Sequence, residues 1–170
     1  KGSVLWLKKS NQEATDNLRK EAKLRGVDPM RLIFADRVPM EEHLARHKLA
    51  DLFLDTFKFN AHSTASDSLW AGLPVISKIG EQSFARIAAS LLTAIGLTEL
   101  IVKTDSEYES LALELATNKE RLQTVTKKLK NNRNNAPLFD SEKYTCDLEN
   151  AFEKAYELYQ TGNSPENIYI

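Results

Sequence analysis

Asn60-Ala61-His62-Ser63-Thr64-Ala65-Ser66-Asp67, running into Ser68-Leu69-Trp70-Ala71-Gly72-Leu73-Pro74, concentrates the side chains best suited to chemistry. The segment follows an apolar, strand-like run, Asp51-Leu52-Phe53-Leu54-Asp55, and its pattern opens a short helix at Ser63. His62, Ser63 and Thr64 then stand at a helix N-terminus, where the first backbone N–H groups have no intrahelical acceptor. Such an end attracts anions through its free donors and its dipole. Asp67, about one turn further on, is placed to accept hydrogen bonds from sugar hydroxyls of a ligand whose phosphates occupy that end. A nucleotide or nucleotide-sugar suits the combination. Each residue also has a plainer reading: Ser63 or Thr64 as a side-chain cap, His62 as a loop residue, Asp67 as a solvated helix residue.

Other arrangements are excluded by what they need. There is no G-x-G-x-x-G and no P-loop, and the six glycines are scattered, which argues against a dehydrogenase or an NTPase. Ser63, His62 and Asp67 contain the residue types of a hydrolase triad, but no G-x-S-x-G supplies a nucleophile elbow. His43 and His47 are spaced i,i+4 on one short helix and lack a third ligand nearby, and no Asp-x-Asp pair is present. No metal and no cofactor is therefore expected. His43 itself is either a rim histidine or a contact to a nucleoside.

The elements that must position these residues alternate along the chain. Val4-Leu5-Trp6-Leu7 reads as a strand buried on both faces, and residues 10–25 as a helix with Glu13 placed for a capping box. Ala14, Leu18 and Ala22 form its inner stripe. Residues 31–35, 51–55, 75–77 and 99–102 read as further strands, and residues 39–48, 63–71 and 82–95 as helices between them. Phe84, Ile87, Ala88, Leu91 and Ile95 give the last of these its apolar stripe. Ser106 with Glu109 predicts a second capping box, and apolar spacings around Leu122–Leu129 and Leu148–Tyr159 mark two later helices. Strands alternating with helices at short intervals predict a doubly wound, Rossmann-like parallel α/β sheet. Sheets of this kind bind ligands outside the carboxyl ends of their strands, where loops 36–39, 56–62 and 78–81 fall. Asn131–Asn135 followed by Pro137 reads as a turn or hinge within a single domain over 1–170.

Composition adds bounds. At 170 residues, 42% hydrophobic and 28% charged, the chain can build one ordinary core. A net charge of −1 gives no general attraction to nucleic acid or to a membrane surface. Lys127, Lys128, Lys130 and Arg133 lie on an amphipathic helix and read first as a solvated face. No apolar run approaches the ~18 residues of a membrane span. Cys146 stands alone, so no disulfide framework is expected, and a cytoplasmic location fits. The chain opens at Lys1-Gly2-Ser3 with no initiator Met, which leads to the expectation of a fragment.

Pro39-Met40-Glu41-Glu42-His43, then Leu49 to Thr56, then His62 to Pro74 in order, closely resemble the O-linked N-acetylglucosamine transferase (SPINDLY-like) family. Gly80-Glu81, Arg86 to Ser90, Pro137-Leu138-Phe139-Asp140 and Tyr144-Thr145 extend the likeness over almost the whole chain. The resemblance implies the C-terminal, donor-binding lobe of a GT-B glycosyltransferase. It implies that His62, Ser63 and Thr64 bind the donor diphosphate and that Asp67 holds the ribose. His43 would lie by the base and ribose, and Val38 and Arg46 would read the uracil edge. Phe59 and Ala61 would border the sugar. The implied partners are a UDP-sugar, an acceptor protein glycosylated on Ser or Thr, an N-terminal catalytic lobe and tetratricopeptide repeats. The helix and tail of residues 140–170 would pack toward that lobe.

Three departures qualify these roles. Met40 stands where the family often has Lys, which removes one cation near the nucleoside. Phe59 stands where a small residue is common, which points either to a donor lacking an N-acetyl group, such as glucose, or to packing against the other lobe. The family's phosphate-binding Lys and the proposed proton acceptor both lie upstream, so no catalytic residue is assigned to this half, and the chain alone is expected to transfer nothing. The alternatives are half of a nucleotide-sugar epimerase or hydrolase, with Glu81 the one carboxylate to nominate, and a non-catalytic interaction module that keeps the fold.

Overall fold

The computed structural model describes residues 2–170. It contains five strands and seven α-helices among those residues, and every strand pairing is parallel. The chain divides into two compact units, one reaching to Arg46 and the other covering His47–Ile170.

In the first unit, β1 (Leu5–Lys8) pairs with β2 (Leu32–Ala35) in register Leu5↔Leu32 to Lys8↔Ala35. Helix α1 (Gln12–Leu24) connects them, giving one β-α-β crossover. Asn11 caps α1 by accepting from the Ala14 N–H, in place of the capping box expected of Ser10 and Glu13. Among its described residues, Leu32 and Thr15 are the buried ones. Leu5 and Trp6, expected to be buried on both faces, are exposed, as is Leu18 of the expected inner stripe. A two-stranded sheet with one helix offers too little surface to cover both faces. Helix α2 (Met40–Arg46) closes the unit.

The second unit carries the core. A three-stranded sheet runs in the order β3 (Phe53–Leu54), β4 (Val75–Lys78), β5 (Ile101–Val102). Helices α3 (Ser63–Ala71), α4 (Ile87–Ala94) and α5 (Asp105–Thr117) each pack against β4. Val75 and Ile76 are fully buried, and with Leu69, Leu92, Ile95, Leu97 and Leu100 they form a continuous apolar cluster. Leu115, Val125 and Leu129 extend it through α5 and α6 (Lys119–Asn132). At roughly 1.5–3 kcal/mol for each large aliphatic side chain fully buried, this cluster is the main source of stability.

Three local features set the site. Helix α3 stops at Gly72, whose φ of 90° is the left-handed conformation that favours glycine. The helix expected over 82–95 is broken: a 3₁₀ turn at Ser83–Ala85 precedes α4, and Arg86 is non-helical at φ −125°. The Gly80 N–H donates to the Ala85 carbonyl at 2.7 Å, and a Cβ on Gly80 would meet the Ala85 Cβ at 2.6 Å. Phe84, which periodicity put in the core, lies in this turn and is exposed. The second capping box forms two residues earlier than expected, between Thr104 and Glu107. Helix α7 (Ser141–Gln160) ends the regular structure and has no buried residue.

Candidate functional site

Between β3 and α3 lies an open cleft of about 490 Å³, lined by Phe53 to Thr56 and Phe59 to Thr64. It sits beyond the carboxyl end of β3, where parallel sheets present their ligand sites. Of the residues singled out in the sequence, Phe59, Ala61, His62, Ser63 and Thr64 meet here. Asp67 is half-buried on α3 but does not line the cleft. Val38, His43 and Arg46 belong to the first unit. There the Arg46 guanidinium donates to His43 Nδ1 from Nη2 at 2.8 Å and to the Asp36 carbonyl at 2.9 Å, and lies over the Trp6 ring.

The start of α3 is uncapped by any side chain. His62 occupies the N-cap position at φ −104°, ψ −99°, without a capping hydrogen bond. Its carbonyl accepts from the Ala65 and Ser66 N–H groups, both at 3.0 Å. The Ser63 and Thr64 N–H groups precede that ladder, so they point out of the helix end with no acceptor inside it. Neither hydroxyl acts as the cap that a plain structural reading would give it. Donors and dipole are therefore left available to an anion.

His62 carries the second feature. Its Nε2 is buried and has no hydrogen-bond partner, as is true of Asn60 Oδ1 beside it. Buried polar atoms are rarely left without partners, so two such atoms next to an open cleft are consistent with a ligand completing them. The imidazole is stacked by aromatic rings. Phe59 lies 4.8 Å away at 16° and Phe84 6.2 Å away at 5°, with 5.3 Å between the two phenyl rings. Phe59 and Phe84 are themselves largely exposed, and Phe59 gives the cleft an apolar side. Phe84 was not legible as a site residue, because its spacing matched the apolar stripe of the following helix.

The loop from 55 to 61 is braced from below. Asp55 is 4% exposed, and its carboxylate accepts from the Thr56 N–H at 2.8 Å, the Ala61 N–H at 2.7 Å and Ser77 Oγ at 2.6 Å. Burial raises its pKa above the ordinary carboxylate value, against the opposing pull of those hydrogen bonds and of His62. The Tyr108 hydroxyl on α5 donates to the Asp55 carbonyl at 2.9 Å, and burial, then the Asp55 charge, pushes that phenol upward. Asp55 also escaped the sequence reading. Its one signal was a carboxylate ending an apolar strand. Among the described residues, no group of three or more His, Cys, Asp or Glu is gathered to hold a metal ion.

An open parallel α/β unit with an uncapped helix end at the carboxyl edge of its sheet defines the class: parallel α/β lobes that bind ligands at that edge. The chain belongs to glycosyl transferase family 41, whose sequence profile matches residues 1–148. It is 38% identical over 169 residues to a probable UDP-N-acetylglucosamine–peptide N-acetylglucosaminyltransferase SEC of Arabidopsis thaliana, covering 99% of this chain and 17% of that protein. A UDP-N-acetylglucosamine–peptide N-acetylglucosaminyltransferase of Caenorhabditis elegans is 36% identical over 166 residues, covering 98% and 14% respectively. The fold superimposes on a K341M mutant of the Thermobaculum terrenum O-GlcNAc transferase with a TM-score of 0.87 at 28% identity, covering 94% of this chain and 31% of the other. The expected family and the expected α/β lobe of a GT-B glycosyltransferase are those found. The chain thus spans only a small part of each relative's length.

Proposed function

We propose that this chain is the donor-binding part of a UDP-sugar-dependent protein O-glycosyltransferase that transfers N-acetylglucosamine or a related hexose to Ser or Thr hydroxyls. The observation that carries the proposal is the uncapped start of α3, with His62 Nε2 buried and unpartnered at its mouth. The donor diphosphate rests on the Ser63 and Thr64 N–H groups and receives hydrogen bonds from His62 and the two hydroxyls. As the glycosidic bond breaks, negative charge grows on the departing nucleoside diphosphate. Fixed donors and a helix dipole stabilise that charge more than they stabilise the ground state. No metal is needed in this scheme, and the inverting transfer relies on groups outside these residues for its base.

The remaining roles follow the same reading. Asp67 holds the ribose hydroxyls, and His43, Val38 and Arg46 serve the nucleoside. Phe59 and Ala61 border the sugar, and the exposed Phe59 ring either favours a hexose without an N-acetyl group or packs against the other lobe. The 140–170 segment packs toward the N-terminal catalytic lobe: Tyr144, Leu148, Phe152 and Tyr156 leave a stripe of α7 exposed at helical spacing. An acceptor protein and tetratricopeptide repeats complete the assembly, and a cytoplasmic location accords with its substrates. Among the described residues, no helix is long and apolar enough to cross a membrane.

Calorimetric titration of the full-length protein with UDP, UDP-N-acetylglucosamine and UDP-glucose tests the proposal. The His62→Ala/Thr64→Ala double variant is expected to bind UDP at least tenfold more weakly. Equal affinity in variant and parent would count decisively against the site.

A further inference from the structure

The loop that presents His62 hangs from one buried carboxylate. Asp55 Oδ1 accepts two backbone N–H groups, from Thr56 at the start of the loop and Ala61 at its end. Its Oδ2 is tied to Ser77 on β4, and its carbonyl is held by Tyr108 on α5. Between the two latch points the loop braces itself. Asn60 Nδ2 donates to the Thr56 carbonyl at 2.7 Å, the Asn60 N–H donates to the Phe84 carbonyl at 2.9 Å, and the Thr56 hydroxyl donates to the Phe59 carbonyl. Ala61 immediately precedes His62, so the orientation of the imidazole and of the first turn of α3 is inherited from this latch.

We infer that Asp55 is a positioning residue for the diphosphate cradle: its carboxylate clamps both ends of the 55–61 loop to the sheet and thereby preorganises His62, Ser63 and Thr64 for the ligand. The inference rests on the donor-binding reading above and adds a residue whose carboxylate is engaged by the protein itself. Stability alone gives little reason to place a carboxylate here, because taking a charge out of water costs more than ordinary hydrogen bonds return. Its particular geometry is the return: one acceptor meets two amides five residues apart, with charge-assisted strength that a neutral side chain lacks. A loop so fixed need not be ordered when ligand binds, which raises affinity without new contacts.

The test uses the full-length protein with Asp55→Asn, Asp55→Ala, Ser77→Ala and Tyr108→Phe. Asparagine keeps an acceptor but loses the charge, and alanine removes the latch. The two controls loosen the support of Asp55 without touching the loop amides. Hydrogen exchange of the Ala61 amide is measured without ligand, and UDP affinity by calorimetry below every melting transition. Exchange at Ala61 is expected to accelerate at least tenfold in Asp55→Ala and a few fold in Asp55→Asn. UDP affinity should fall about tenfold and about threefold in the same order, and by less than in Asp55→Ala in the two controls, which keep both loop amides on Asp55 Oδ1. Should Asp55→Ala not fold, Asp55→Asn alone decides. Parent-like exchange at Ala61, or parent-like UDP affinity with a loosened loop, overturns the inference. If the parent itself fails to bind UDP, the donor reading falls, and the exchange data still judge the latch.

Discussion

The two units of this chain differ in how they are held together. Residues up to Arg46 form a two-stranded sheet and two helices around a single buried apolar side chain, Leu32, while Val4, Leu5, Trp6 and Ile33 remain exposed. Residues 47–170 build a continuous core in which Leu69, Val75, Ile76, Leu92, Ile95, Leu97 and Leu100 are wholly buried. Both units alternate strand and helix, so the pattern of hydrophobic residues alone does not distinguish them. What separates them is the number of layers that can close over a strand. The cleft at His62 belongs to the unit whose backbone is fixed by its own core, which is where a preorganised anion site has to stand.

The largest effect expected from this contrast is in the core. Leu69→Ala, at the buried face of α3, should cost about 2–5 kcal/mol in denaturant unfolding, whereas Leu5→Ala on the exposed strand of the first unit should cost about 1 kcal/mol or less. Comparable losses in the two variants would contradict the contrast. Native-state hydrogen exchange sharpens the comparison: β1 and β2 amides should exchange at least tenfold faster than those of β4. A smaller effect concerns α5. Removing its capping box with Thr104→Ala should lower stability by about 1 kcal/mol, read from the shift in midpoint.

The pH dependence has two opposite signs within the second unit. Burial pushes Glu99 up, but its bonds to Lys128 and the nearby Arg121 charge outweigh that and hold it below 4.5. Its stabilising share is therefore present above 4.5 and lost as the pH falls through the lowered folded value. Asp55 is raised above 3.8, mainly by burial. Its share is present below 3.8 and lost as the pH rises through the raised folded value, because the unfolded state releases the proton more readily. Carboxyl-carbon NMR should show Asp55 titrating above an ordinary aspartate and Glu99 below an ordinary glutamate. The reverse order would break the assignment of a buried, desolvated carboxylate to the site and a partly exposed, ion-paired one to Glu99.

Much of this was legible in the residues. The bounds of α3 are those that Ser63 and Gly72 foretell, and the motif from His62 to Pro74 pointed to the family and the helix-end site. Four things were not. Burial of β1 depends on what covers a sheet, which the apolar run Val4–Leu7 does not encode. The break at Arg86 accompanies the Gly80–Ala85 contact, a backbone turn that the 3.6-residue period through Phe84 does not reveal. Asp55 is bound to partners 6, 22 and 53 positions away, separations at which a single sequence carries no pairing signal. Even the capping box, a local motif, slipped by two residues, because Thr104-x-x-Glu107 and Ser106-x-x-Glu109 overlap and only the end of β5 chooses between them.

The most direct measurement is a crystal structure of the full-length protein with UDP. The account requires the diphosphate within hydrogen-bonding distance of the Ser63 and Thr64 amides and of His62 Nε2. Nucleotide density elsewhere, with that helix end left to solvent, would contradict it.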